Sequence, residues 1–177
     1  RGKTLGIIGF GRIGQSLAEY AIGCGMNVTA VDTYTEPREL SIQLGNGLSV
    51  KASITPITSL EDGLKNADYI SLHVPKQADG SAVITKKEFA MMKDGVRIAN
   101  AARGGVINED DLLYALASNK VAGIALDVFE NEPNPRKDLL NHAKIACTPH
   151  IGAATNEAQD RIGTELAASI IAEFGTF

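Results

Sequence analysis

The sequence predicts an α/β chain: a doubly wound parallel sheet with helices on both faces. Three observations predict it. Apolar runs of strand length recur along the whole chain, the segments between them have helical spacing, and the runs show little polar alternation, as in strands buried on both sides.

The runs are residues 5–9, 28–32, 69–72, 96–100, 123–127 and 144–147, with a weaker candidate at 48–50. After the first run, Ile13, Leu17, Tyr20 and Ala21 fall at i, i+4, i+7 and i+8, one stripe of a helix. Ser59-Leu60-Glu61-Asp62 opens another helix as a capping-box variant. Leu112, Leu113, Leu116 and Ala117 form a further stripe. Asn108 is its N-cap residue, ahead of the acids Glu109, Asp110 and Asp111. Residues 155–174 carry Ile162, Leu166, Ala167, Ile170 and Ile171 on one side. The stretches 34–48, 75–84 and 129–139 read as loops, and no repeat or long linker divides the chain. The expectation is one domain spanning 1–177, which suits a length near the usual ~150 residues per domain.

Composition narrows the function classes. Seventeen Lys and Arg against 21 Asp and Glu leave a net charge of −4, which lacks the basic face of a nucleic-acid binder. At 44% hydrophobic and 21% charged residues the chain is too apolar to be disordered. No apolar stretch approaches the ~18 residues of a membrane span, and the N-terminus has no hydrophobic signal core. Cys24 and Cys147 make no disulfide framework, and no Cys/His cluster suggests a metal. Both read as buried thiols, which fits a reducing, cytoplasmic setting. The chain opens Arg1-Gly2-Lys3 without an initiator Met and reads as a piece of a longer protein.

Gly9-Phe10-Gly11-Arg12-Ile13-Gly14 matches G-x-G-x-x-G, directly after the first apolar run and at the start of the first striped helix. In that context Gly9 serves the tight turn, Gly11 the approach of a pyrophosphate, and Gly14 close helix–strand packing. Unpaired amides and the positive end of the helix dipole then favour the anion. Asp32 ends the second run, about 20 residues on, where a carboxylate accepts from ribose hydroxyls and repels a 2′-phosphate. NAD is therefore favoured over NADP, although Arg38 could accommodate the extra phosphate. The expectation is a Rossmann dinucleotide-binding fold.

Ligands of open α/β sheets bind beyond the carboxyl ends of the strands. His73 ends the third clear run, ahead of Val74-Pro75. Asn100 ends the next, with Ala101, Arg103, Gly104 and Gly105 close behind. Asp127 and then Glu132 follow the fifth run, and Thr148-Pro149-His150 closes the last. Asn100 is equally readable as a cap, Glu130 competes with Glu132, and His142 has no assigned role.

These segments, together with Ser71-Leu72-His73-Val74-Pro75, Asn100-Ala101-Ala102-Arg103-Gly104-Gly105, Leu126-Asp127-Val128-Phe129-Glu130-Asn131-Glu132-Pro133 and Thr148-Pro149-His150-Ile151-Gly152, resemble the D-isomer-specific 2-hydroxyacid dehydrogenases. The likeness covers essentially the whole chain and is to the cofactor-binding domain. The run from Gly152 to Gln159 is most similar to the phosphoglycerate dehydrogenase branch, which opens serine biosynthesis. The resemblance implies that Arg103 holds the substrate carboxylate and oxo group. It implies also that Glu132, rather than Glu130, pairs with His150 as the acid–base catalyst, and that Asp127 binds the nicotinamide carboxamide. The implied cofactor contacts are Gly9, Gly11, Arg12, Ile13, Gly14, Asp32, His73, Val74, Pro75, Ala101, Arg103, Asp127, His150 and Gly152, with no metal. It implies further a 2-hydroxy or 2-oxo acid substrate, a second lobe outside this chain, and a homodimer through the cofactor domain, to which the apolar loop Phe89-Ala90-Met91-Met92 could contribute. Alternatives are a glyoxylate or hydroxypyruvate reductase and a non-catalytic NAD(H)-sensing module like the corepressor relatives. Asn108, where the family often has an acid, and Lys76-Gln77, where it often has Leu-Thr, depart from the pattern.

The residue types suit the chemistry. Oxidising a 2-hydroxy acid removes a hydride from carbon and a proton from oxygen, and an imidazole beside a carboxylate is a base matched to that proton. A guanidinium grips a carboxylate through two parallel bonds and stabilises charge on the reacting oxygen.

Overall fold

The computed structural model describes residues 1–175. Along the chain lie β1 (Thr4–Ile8), α1 (Arg12–Gly23), β2 (Asn27–Val31), β3 (Arg38–Gly45) and β4 (Leu48–Ile54). There follow α2 (Leu60–Lys65), β5 (Tyr69–Leu72), α3 (Lys86–Met91), β6 (Val96–Asn100) and α4 (Glu109–Ala117). The last elements are β7 (Val121–Leu126), α5 (Lys137–Leu140), β8 (Ile145–Cys147) and α6 (Asn156–Phe174). Six strands pair in parallel in the order β2-β1-β5-β6-β7-β8. Ile8 pairs with both Val31 and Leu72, Leu72 with Asn100, Asn100 with Leu126, and Leu126 with Cys147. The carboxyl ends are therefore flush, and Gly9, Asp32, His73, Ala101, Asp127 and Thr148 all leave the sheet on one rim. The strand order reverses between β1 and β5, the crevice where doubly wound sheets bind ligands.

Side chains alternate across β1. Leu5 and Ile7 join Ala18 and Ala21 of α1, whereas Ile8 joins Leu64 of α2 in the larger cluster that α2, α3, α4 and α5 build on the opposite face. Over β6 to β8 only that second face is covered. Val96 and Ile98 point into the cluster while Arg97 and Ala125 are exposed, so these strands alternate where burial on both sides was expected.

The stretch read as a loop at 34–48 contains β3, which pairs antiparallel with β4. Every second residue of β3 matters: Leu40 and Ile42 are buried against α1. The turn is Asn46-Gly47, both at positive φ, the chemistry that tight hairpins demand. The phase of α1 is also different. Gly14, Ala18 and Ala21 face the sheet, while Ile13 and Tyr20 are more than 70% exposed. Small residues win that face because the helix must begin against the glycine turn.

The segment Phe89-Ala90-Met91-Met92, read as an apolar loop, is the end of α3, which is held by a capping box between Thr85 and Glu88. Its Phe89 and the following Met92 are buried within this chain, so neither is offered to a partner. Within 129–139, α5 forms and buries Leu139. Both cysteines are exposed, because Cys24 caps α1 at the surface and Cys147 ends an edge strand. α6 buries none of its residues, and its stripe of Ile162, Leu166, Ala167, Ile170 and Ile171 faces outward. Among the described residues no helix is long and apolar enough to cross a membrane.

Candidate active site

Beside β1 and β5 lies a cleft of about 580 Å³, lined by Gly9, Gly11, Asp32, Tyr34, Thr58, His73, Val74 and Pro75 over an apolar floor that includes Ile8, Val31 and Leu60. Gly9 sits at φ 96°, and a Cβ there would lie 2.5 Å from the His73 carbonyl oxygen. A Cβ on Gly14 would meet the Gly9 carbonyl at 2.3 Å, so both positions exclude a side chain. A Cβ on Gly11 would meet nothing within 4 Å, which leaves the backbone open to a ligand. No side chain caps α1 and no acid occupies its first turn, so its leading N–H groups remain available to a phosphate.

Asp32 closes the other side. Its Oδ2 accepts from the Phe10 N–H at 2.6 Å and its Oδ1 from the Tyr34 N–H at 3.0 Å, tying the end of β2 to the glycine turn. Burial pushes this carboxyl up, but the backbone donors of Tyr34 and Phe10 outweigh it and hold the group below its ordinary value. A persistent anion at that position suits a ribose diol. His73 contacts Ser71 Oγ through Nε2 at 2.9 Å, and burial lowers its pKa by disfavouring the charged ring. The residues present therefore fit a dinucleotide. Arg12 and Ile13 stand on the first turn of α1 with exposed side chains, Arg12 facing Glu165 of α6 at 3.5 Å.

The remaining site residues leave β6, β7 and β8. His150 Nδ1 meets Glu132 Oε2 at 2.7 Å, and Glu132 Oε1 accepts from the Phe129 N–H at 2.8 Å. The bond from His150 is the main cause of a Glu132 pKa below the ordinary value. Glu130 is turned elsewhere, toward the backbone of Glu109, which decides the sequence ambiguity in favour of Glu132. Asp127 accepts at Oδ1 from Thr148 Oγ1 and the Ile151 N–H, at 2.5 and 2.9 Å, and at Oδ2 from the Gly152 N–H at 2.8 Å. Burial raises its pKa, but these three donors prevail and lower it. Asp127 thus anchors the loop that presents His150, and the contacts come from the residues that follow β8.

Arg103 is exposed, and its Nη1 donates to its neighbour's carbonyl, Ala102 O, at 2.6 Å rather than reaching His150 or Glu132. Its turn is built by Asn100, whose Oδ1 accepts from the Ala102 N–H at 3.1 Å and whose Nδ2 donates to Arg103 O at 3.2 Å. Asn100 therefore braces the Arg103 turn and caps no helix, because the next helix, α4, is capped by Asn108. The side chain of Lys76 lies over Gly105 in the same turn. Sequence reasoning gave no role to Thr148, Tyr34 or Glu109. A hydroxyl at a strand end was the available signal for Thr148. Glu109 had none, because an acid in a first helical turn is ordinary.

Residues 1–152 match the family model described as D-isomer specific 2-hydroxyacid dehydrogenase, NAD binding domain. The chain belongs to that family. Its relatives include chloroplastic D-3-phosphoglycerate dehydrogenase 3 of Arabidopsis thaliana, 45% identical over 172 residues that make up 96% of this chain and 27% of the relative. Hydroxypyruvate reductase of Thermotoga maritima is 42% identical over 177 residues, covering 98% of this chain and 54% of that protein. Among solved structures, a glyoxylate reductase from Paecilomyes thermophila superimposes with a TM-score of 0.79 at 37% identity, over 99% of this chain and 51% of the other. The chain spans about half or less of the length of these relatives.

Proposed function

We propose that this NAD-binding domain serves, in the intact protein, the reversible oxidation of a D-2-hydroxy acid, with 3-phosphoglycerate as substrate. The observation that carries the reading is the 2.7 Å contact between His150 and Glu132, with the second Glu132 oxygen held by the Phe129 N–H. NAD, when bound in the β1–β5 crevice, supplies the hydride acceptor or donor. With Nδ1 engaged by Glu132, His150 offers Nε2 to the substrate oxygen, taking its proton in oxidation and returning it in reduction. The Glu132 carboxylate stabilises the imidazolium formed on the way. Arg103 swings from the Ala102 carbonyl to grip the substrate carboxylate, an exchange of one acceptor for a better one.

Substrate completes its contacts with a second lobe outside these residues, a reading supported by the partial coverage of every relative named above. The 177-residue chain alone therefore binds NAD but turns over little substrate. The same reading makes the protein a homodimer through this domain, on surface other than Phe89 and Met92. Sedimentation of the intact protein checks that.

The deciding experiment is a panel of 3-phosphoglycerate, hydroxypyruvate and glyoxylate presented to the intact protein, followed at the nicotinamide absorbance. Turnover of 3-phosphoglycerate ahead of the others supports the reading. Preference for hydroxypyruvate, as the name of the Thermotoga maritima relative suggests, would move the substrate assignment. NAD binding with no turnover of any 2-hydroxy or 2-oxo acid would make the domain a sensor.

A further inference from the structure

The first turn of α4 and the loop that carries Glu132 hold each other by a reciprocal pair of bonds. The Glu109 N–H donates to Glu130 Oε1 at 3.1 Å, and the Glu130 N–H donates to Glu109 Oε1 at 2.8 Å. A third tie runs from Arg136 Nη1 to Asp110 Oδ1 at 2.5 Å. Glu109 is only 5% exposed, and among the described residues its Oε2 is the one buried side-chain polar atom without a hydrogen-bond partner. Burying a carboxyl in this way is costly, and an apolar side chain would fill the space without that cost.

Capping of α4 does not explain the burial. Asn108 already caps the helix through a 2.9 Å bond from the Asp111 N–H, and Asp110 and Asp111 supply the favourable charge of its first turn. What Glu109 alone contributes is an acceptor for the Glu130 N–H, two residues from Glu132. Burial raises its pKa, and the part it plays through Oε1 is that of an acceptor, which an amide oxygen can imitate.

We infer that Glu109 is a positioning residue of the reaction, holding the backbone at Glu130 so that Glu132 meets His150 in register. The inference rests on the assignment of Glu132 and His150 as the acid–base pair.

The test compares Glu109→Gln, Glu109→Leu and Glu130→Ala in the intact protein, reading kcat, the KM for NAD, and the pH dependence of reduction. Glu109→Gln keeps the acceptor oxygen and retains kcat within about threefold, the smaller end of what one neutral hydrogen bond is worth. Glu109→Leu removes the acceptor and lowers kcat by about tenfold or more, since small displacements of reacting groups are amplified in rate. Its KM for NAD is unchanged, because the cofactor cleft lies at β1 and β5, and the alkaline limb of its reduction profile moves to lower pH, since a displaced Glu132 favours the imidazolium less.

Glu130→Ala alters an exposed side chain and keeps the fold if Glu109→Leu does not. It loses one of the two Glu109–Glu130 bonds and lowers kcat by about three- to tenfold. A folded Glu109→Leu, or failing that Glu130→Ala, with wild-type kcat and pH profile overturns the inference. Equal damage from Glu109→Gln and Glu109→Leu overturns it also. A wild-type protein that turns over no substrate sinks the functional reading itself, which is a separate and visible result.

Discussion

Replacing Gly104 by alanine adds one methyl group at the seam between the Arg103 turn and the loop that carries Glu132. The backbone at Gly104 is not at positive φ, so alanine brings no conformational strain of its own. Its Cβ would instead stand 1.8 Å from the Phe129 carbonyl oxygen, where ordinary contact begins near 3.4 Å, so one loop must retreat by about 1.6 Å. The obstacle is backbone on both sides, and no rotamer relieves it. The Phe129 N–H holds Glu132 Oε1 at 2.8 Å, so retreat of that loop carries the partner of His150 away with it. Retreat of the other loop displaces Arg103.

Misplacement of about 1 Å costs on the order of 100-fold in rate, so kcat/KM for the intact protein should fall by about that factor or more. Overpacking costs roughly 1–3 kcal/mol, a fall in Tm of about 2–12 °C for a domain of this size. NAD affinity, measured by nicotinamide fluorescence titration, should fall far less than kcat/KM, because the glycine turn and Asp32 are on different strands and stay in place. A Gly104→Ala protein with kcat/KM within threefold of wild type would show that the two loops need not keep this spacing. Arg103 and Glu132 would then act independently of the distance between their loops.

Asp32→Ala removes the proposed ribose acceptor and the bond that restrains Phe10; hydrogen bonds to a charged group are worth about 1.5–3 kcal/mol, so calorimetry should find NAD bound about 10- to 100-fold more weakly and NADP less disfavoured. Glu132→Gln loses the charge that favours the imidazolium, and the alkaline limb of the reduction profile should shift to lower pH; an unchanged pH–rate curve removes Glu132 from its role. Asp32, Asp127 and Glu132 all have folded-state pKa values below their ordinary ones. Their contribution to stability is present above the ordinary carboxylate range and lost as pH falls through the lowered values. Urea melts should therefore change little from neutrality to about pH 5 and weaken steeply below about pH 4, with Asp127→Asn flattening that slope.

The path from sequence to sheet was short where local chemistry and tertiary packing agreed. The runs at 5–9, 28–32, 69–72 and 96–100 became strands, and the glycine turn with Asp32 stands as its spacing predicts. It was longer where packing overruled the pattern. Ile13 and Tyr20 suit a helix stripe, yet α1 turns Gly14, Ala18 and Ala21 to the sheet because only small side chains allow the approach. The hairpin of β3 and β4 was signalled by Asn46-Gly47 but hidden by strands whose exposed residues outnumber the buried ones.

By itself the chain's order of residues determined the parallel α/β architecture, the dinucleotide cleft and the set of polar groups at the strand ends, because each follows from periodicity or from a motif a few residues long. Only the folded structure showed that Glu130 is turned to the Glu109 backbone and away from His150, committed Asp127 to the loop bearing His150, and revealed the buried carboxyl of Glu109. Those outcomes depend on which backbone donors arrive from other strands and helices. Glu132 and His150 lie 18 residues apart in the chain yet only 2.7 Å apart in space, a distance that the parallel register of β7 and β8 sets.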